Sequence, residues 1–261
     1  MEVTRHPMKK YYEDEHETAY RTMREKGIMA WDQYYDPGRY DFDRFMMRPF
    51  LERALSLVSF DNPNPSALEY GCGTGAASCF LANRGFRAVG LDLSPIAIEL
   101  AQAFAKEREL AIDYKVQDMT ESLTNGKQYD LIVDNYCLQS IVTDEDREAL
   151  FANVRARLKN TGYYIIATAV YHDGRDYEGS LYDATTGILY DKFDRDPADY
   201  VDVVEREGYL WIPNRRHLTP DALLAELRRA GFQVVFQEEG NVICRVPEGV
   251  AHESGQQNND S

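Results

Sequence analysis

Three glycines, Gly71, Gly73 and Gly75, fall within five residues of this 261-residue chain. A glycine has no Cβ, so it accepts tight turn geometry and lets a ligand touch the backbone. The N–H groups that open a following helix then favour polar or anionic ligand groups. Read literally, Gly71-x-Gly73-x-x-Ala76 fits a dinucleotide pattern; a turn with no ligand fits it too. Asp92 follows Gly75 by 17 residues. A carboxylate there can accept both hydroxyls of a ribose, or cap the helix behind it. Asp118 stands at a further strand end. Arg215 and Arg216 can hold an anion by charge-assisted bonds. His172 and His217 can take up a proton near neutral pH. The four cysteines, Cys72, Cys79, Cys137 and Cys244, form no C-x-x-C pair and read as reduced thiols.

The elements that must position these groups are legible from periodicity and caps. Ser66–Tyr70 reads as a short buried strand. The glycine turn follows it, then a helix from Ala76 to about Asn83 with Ala77, Phe80 and Leu81 inside. Arg87–Leu93 is the next strand; Ser94 caps a helix with Pro95 at its first position. A third strand, about Ile112–Val116, leads into Gln117-Asp118-Met119. Tyr129–Asn135 is the fourth. Thr143-Asp144-Glu145-Asp146 resembles a capping box, and its helix buries Leu150, Phe151, Val154 and Leu158. Tyr163–Thr168 is the fifth strand. Thr219-Pro220 opens a helix that Gly231 stops. Phe232–Gln237 and Asn241–Val246 close the chain as a hairpin. A strand, glycine turn and helix is how open α/β sheets build ligand sites at strand ends.

Two regions lie outside this alternation. The first 60 residues hold six tyrosines and Trp31. A helix is expected there from Glu13 to about Gly27, and a second from about Phe42 to Ser59, kinked or restarted at Pro49. The fifty residues 169–218 separate the fifth strand from the next clear helix, and a connection that long is usually functional. They hold six more tyrosines, Trp211, His172 and His217. Val201–Val204 fits a short strand or a helix. The stretch reads as a cap over the site, with an oligomer contact as the alternative.

The formal net charge of −15 disfavours a nucleic-acid backbone or an anionic membrane as partner. The start shows no apolar leader and no run approaches the length of a membrane span, so a cytoplasmic protein is expected. A homodimer stays open. The expected division is a helical lid over 1–60, a ligand-binding core over 61–168, the cap over 169–218, a helix and hairpin completing the core over 219–247, and a disordered tail over 248–261.

Leu68-Glu69-Tyr70-Gly71-Cys72-Gly73-Thr74-Gly75 resembles motif I of the class I S-adenosylmethionine-dependent methyltransferases. The acid two residues before the first glycine is closer to that family than to dehydrogenases. The resemblance implies a Rossmann-like α/β fold, with a mostly parallel seven-stranded sheet and a C-terminal antiparallel hairpin. It covers about residues 66–170 by motif and 219–246 by architecture.

For the cofactor, S-adenosyl-L-methionine with S-adenosyl-L-homocysteine as product, the resemblance implies several contacts. Glu69, Gly71 and Gly73 would contact it. Asp92 would take the ribose, with Leu93 against the adenine. Asp118 would meet the adenine amino group while Met119 packs on the ring. Asn135 would run beside the methionine part. The N-terminal segment of similar enzymes folds over the cofactor, making Tyr20 and Trp31 candidate contacts, and Tyr34, Tyr35 and Arg44 candidates toward the acceptor.

Methyl transfer needs alignment first and a base only where the acceptor keeps its proton. Tyr136 can orient the acceptor. Gln139 stands where many relatives have histidine; it can hold an acceptor but not deprotonate it. His172, just past the fifth strand, is the first candidate base, with His217 second. Arg215 and Arg216 suit an anionic acceptor. The function expected is methyl transfer to an O or N nucleophile of a small molecule or peptide-like metabolite. A cofactor-binding regulator and an RNA methyltransferase are the alternatives.

Overall fold

The computed structural model describes residue 10 and residues 13–121 and 126–247. The tail expected over 248–261 lies outside the described residues, as do residues 1–9 of the expected lid. In chain order the helices are α1 (Glu13–Lys26), α2 (Trp31–Tyr35), α3 (Arg48–Leu57), α4 (Ala76–Asn83), α5 (Pro95–Glu107), α6 (Asp144–Arg157) and α7 (Pro220–Arg229). The strands are β1 (Ser66–Tyr70), β2 (Arg87–Asp92), β3 (Asp113–Val116), β4 (Tyr129–Asn135), β5 (Leu158–Ala167), β6 (Leu181–Asp183), β7 (Ile188–Lys192), β8 (Val204–Arg206), β9 (Tyr209–Arg216), β10 (Gln233–Glu238) and β11 (Asn241–Arg245).

The main sheet has seven strands in the order β10-β11-β5-β4-β1-β2-β3. The pairs β2–β3, β1–β2, β1–β4 and β4–β5 are parallel, and β11 runs antiparallel between β5 and β10. This is the Rossmann-like arrangement the motifs imply. Its strands are apolar on both faces because helices cover both. Ala67, Leu131, Val133, Ile165 and Ile243 pack with Leu51, Ala77, Leu81 and Ala101 from α3, α4 and α5 on one side. Leu68, Ile132, Tyr164, Ile166 and Val242 pack with Leu150, Val154, Leu223 and Leu227 from α6 and α7 on the other. Alternate residues of one strand thus serve two cores.

The caps expected from sequence fix where the helices start. Ser94, Thr143 and Thr219 accept from the N–H of Ala97, Asp146 and Ala222 at 3.3, 3.1 and 3.2 Å. The helix expected from Phe42 to Ser59 is shorter. Residues Asp41–Arg44 instead form a turn in which Asp41 Oδ1 accepts from the N–H of Asp43 and Arg44 at 2.9 and 2.7 Å. Pro49 does not kink α3; it stands in the first turn, where its missing N–H costs nothing.

The inserted stretch folds as a second, antiparallel sheet in the order β6-β7-β9-β8. Val204 belongs to a strand, and Arg206 pairs with Tyr209 across a two-residue turn of Glu207 and Gly208, both at positive φ. The sheet packs beside the C-terminal ends of the parallel strands. Phe193, Tyr200 and Ile212 meet Val142 and Leu93 there.

Candidate active site

One cavity lies at the C-terminal ends of β1, β2, β3 and β4, with α1, α2 and the end of β9 closing it. Its empty space is about 1090 Å³, open mouth included.

The glycine turn forms its floor. Gly71 and Gly73 have φ of +58° and +53°. A Cβ on Gly71 would overlap the Cys137 side chain, and one on Gly73 would lie 2.9 Å from the Tyr20 hydroxyl. Close approach and backbone twist therefore both require glycine at these two positions. The turn is held from β2: Gly73 N donates to Asp92 Oδ2 and Ser94 N to Oδ1, each at 2.9 Å. Burial pushes the Asp92 carboxyl up to about 6 against these two bonds.

Glu69 is buried beneath the turn and does not line the cavity. Ser78 Oγ donates to its Oε2 at 2.5 Å, while Oε1 is buried with no hydrogen-bond partner. Burial raises this carboxyl to about 8. Asp118 lines the cavity; its Oδ1 accepts from Thr120 N and Oγ1 at 2.7 and 2.8 Å, and Lys10 Nζ is 3.5 Å from its Oδ2. Met119 is buried beside it.

Beyond β4 the wall is built on Asp134. Its carboxylate accepts from Tyr70 at 2.5 Å and from the N–H of Cys137 and Leu138 at 2.9 Å each. Those bonds fold the turn that carries Asn135, Tyr136, Gln139, Ser140 and Ile141 into the cavity lining. Tyr136 sits at φ +61°, with its N–H on Ala167 O at 2.8 Å. Gln139 Oε1 accepts from Ala169 N at 3.1 Å, so its amide orientation is set by the chain after β5.

The lid side comes from α1 and α2. Tyr20, Trp31 and Arg215 line the cavity as the sequence suggests, joined by His16, Asp32 and Phe45, which sequence reasoning passed over. His16 and Tyr20 are four residues apart, so they share one face of α1; that spacing was the available signal. Trp31 packs on both, with ring centroids 5.5 and 5.4 Å away. Arg215 makes a two-pronged pair with Glu15, each prong 2.9 Å. Burial, with Arg215 nearby, brings His16 down to about 4, so its ring is neutral at pH 7.

Six expected acceptor-side residues are not brought to the cavity lining. His172 stands exposed, its Nδ1 3.8 Å from Glu239. It stayed near the end of β5 but turned outward, so it is no base for this cavity. His217 is buried in the second sheet, its Nδ1 2.9 Å from the Tyr177 hydroxyl; burial lowers it to about 4. Arg216 is committed to Asp144 at 2.6 Å and to Val142 O at 3.1 Å. Tyr34 and Tyr35 are exposed and pack around Trp31. Arg44 is exposed and paired with Asp41. Among the described residues, no group of histidine, cysteine and acidic side chains is arranged to hold a metal, and no helix is long and apolar enough to cross a membrane.

Comparison with known proteins follows the same residues. The family model described as a methyltransferase domain matches residues 67–162. A ubiquinone biosynthesis O-methyltransferase of Rickettsia conorii is 33% identical over 118 residues, covering 45% of this chain and 39% of the relative. This chain thus matches well under half of that relative's length. A solved S-adenosylmethionine-dependent methyltransferase from Clostridium acetobutylicum superposes with a TM-score of 0.58 at 16% identity, covering 87% of this chain and 99% of the other. A 1,6-didemethyltoxoflavin-N1-methyltransferase from Burkholderia thailandensis, solved with 1,6-didemethyltoxoflavin and S-adenosylhomocysteine, gives 0.55 at 17% identity, covering 88% and 86%. At these identities the two structures speak for the fold.

Proposed function

We infer that this chain, whose residues 67–162 match a methyltransferase domain model, is an S-adenosylmethionine-dependent methyltransferase acting on an O or N nucleophile of a small or peptide-like molecule. The observation behind this reading is that the glycine turn, Asp92 and Asp118 line one cavity, which continues past Asn135 to a wall of different chemistry.

The cavity fits the cofactor. A cradle that a Cβ on Gly71 or Gly73 would fill suits close passage of an amino-acid chain. The orphaned Glu69 Oε1 beneath it suits a cationic amino group, directly or through water. Asp92 has lone pairs left for two ribose hydroxyls after its two N–H bonds. Asp118 and Met119 offer an acceptor and an apolar face to a base. When bound, S-adenosylmethionine supplies an activated methyl group on a sulfonium. The protein's task is placement and exclusion of water, worth roughly 7–11 kcal/mol in favourable cases. Tyr20, Trp31 and Arg215 close the cavity from the lid side. Tyr136 and Gln139 bound its acceptor end. The acid–base question narrows, since His172 and His217 lie elsewhere.

Oxygen as a target is supported by the relative from Rickettsia conorii, an O-methyltransferase by name. The charge of −15 supports an acceptor other than nucleic acid. Calorimetry with S-adenosylmethionine, with NADH as control, tests the reading. Wild type is expected to bind the sulfonium in the micromolar range. Asp92→Ala is expected to weaken it by about tenfold or more, the scale of hydrogen bonds to a charged group. Binding of NADH in its place, or no binding up to millimolar ligand, overturns it.

A further inference from the structure

Among the described residues, the charged groups lining the cavity differ in how fully they are bonded. Asp92 is held by two backbone N–H groups, Asp118 by Thr120 and Lys10, and Arg215 by Glu15. Asp32 also lines the cavity. Its Oδ2 accepts from Met46 N at 2.8 Å, and no cationic side chain of the described residues pairs with it. A half-buried carboxylate without a cation is costly unless a ligand compensates it.

Two aromatic side chains of the same cavity accompany it. Trp31 precedes it on α2 and is wedged among His16, Tyr20, Tyr34 and Tyr35, which fixes its ring. Tyr136 directly follows β4 and lines the same cavity as Asp32. Its left-handed backbone is strained for an aromatic residue. That strain persists because the Tyr136 N–H and the Asp134 turn hold the residue in the cavity wall. A carboxylate without a cation and two aromatic side chains in one cavity lining together suit an ammonium group on an apolar body.

We propose that Asp32, Trp31 and Tyr136 form the acceptor subsite, and that the acceptor presents a basic nitrogen there on an apolar body. The proposal rests on the methyl-transfer reading and narrows its acceptor to an amine. Asp32 has two tasks. It first holds the arriving ammonium. It then takes one proton: an N–H bond breaks, an O–H bond forms on the carboxylate, and the electron pair stays on nitrogen as the nucleophilic lone pair. Burial raises the Asp32 carboxyl above its ordinary value, which eases that transfer. His16, neutral on the same side, does not compete for the site as a cation.

The test uses the full chain saturated with S-adenosylhomocysteine and ligand-observed NMR titrations of matched pairs. The probes are benzylamine and benzyl alcohol, 2-phenylethylamine and 2-phenylethanol, tryptamine and tryptophol. In wild type at least one amine is expected to bind about tenfold or more tightly than its alcohol. Asp32→Asn should bring each pair within about twofold. Asparagine keeps an oxygen for Met46 N–H, and unchanged S-adenosylhomocysteine affinity in the variant shows that the fold survives. Equal binding of amines and alcohols, a preference that survives Asp32→Asn, or no saturable amine binding overturns the amine subsite. Failure of wild type to bind S-adenosylhomocysteine overturns the methyl-transfer reading instead, so the two failures are separable.

Discussion

Glu69 is a carboxyl placed where ionising is expensive. Its pKa moves from 4.5 to about 8 because it is buried under the glycine turn. Asp92 and Asp134 move the same way, from 3.8 to about 6 and about 7. A raised carboxyl holds its proton in the folded state where the unfolded chain has released it. The stabilisation is complete below the unfolded pKa and is lost as pH rises through the folded one. These three groups therefore contribute a loss of stability from about pH 4 to about pH 8, opposed below about pH 6.5 by His16 and His217, which burial holds neutral down to about 4. Glu69→Gln removes the ionisable member of highest pKa. Thermal melts should show the variant gaining on wild type at pH 8 and not at pH 4. The same variant should bind S-adenosylmethionine more weakly, because the amide offers no charge to an amino group. A variant with the same pH slope as wild type would assign the slope to Asp92 and Asp134 alone. Asp92 and Asp118 stand at strand ends in the sequence and line the cavity, whereas Glu69, drawn from the family resemblance, lies beneath it. His16 and Asp32 were not legible in the sequence. Whether a lid residue faces the cavity depends on how α1 and α2 dock, and no local spacing encodes that.

At the scale of elements, α1 is held between two parts of the chain that are distant in sequence. Toward the core, Ser94 Oγ donates to Glu17 at 3.0 Å and Arg24 pairs with Glu99 at 3.3 Å. Toward the inserted sheet, Glu15 pairs with Arg215 on β9, and Asp14 pairs with Arg195 at 2.9 Å. Glu15→Gln and Arg215→Met should together show a coupling of about 1 kcal/mol in stability, modest because Glu15 is partly solvated. Arg215→Met should also speed hydrogen exchange in α1 and raise the S-adenosylhomocysteine off-rate. Unchanged exchange in α1 would mean that the core contacts alone hold the lid. The ends of α5, α6 and α7 could be read in advance because Ser94, Thr143 and Thr219 announce them chemically. The second sheet could not. Its strands are short, and Val201–Val204 fits a strand or a helix equally. The start of α3 was misplaced because the apolar spacing of Phe42 and Phe45 imitates a helix. Both side chains are in fact buried from a turn that Asp41 organises.

Across the whole molecule, the insertion separates α7 from the strands it completes, yet one ion pair ties that late helix to the cavity wall. Arg147 on α6 meets Glu226 on α7 through Nε at 2.7 Å and Nη2 at 2.6 Å. Its Nη1 donates to the carbonyls of Leu138 and Ile141 at 2.8 Å each. One buried guanidinium thus spans the C-terminal segment and the turn that carries Gln139 and Ser140. Such a pair is not strongly stabilising against an apolar replacement, but losing one partner leaves a charge stranded. Arg147→Met should destabilise by roughly 3–5 kcal/mol in urea unfolding. Adding Glu226→Leu should recover much of that loss by removing the stranded carboxylate. Cofactor binding separates the two roles of the arginine. The double variant regains fold stability but not the two carbonyl bonds, so its cavity wall should stay loose and its affinity for S-adenosylmethionine below that of wild type. If stability and affinity return together, the pair serves only the core. If stability returns alone, Arg147 couples the last helix of the fold to the wall against which the acceptor must be aligned.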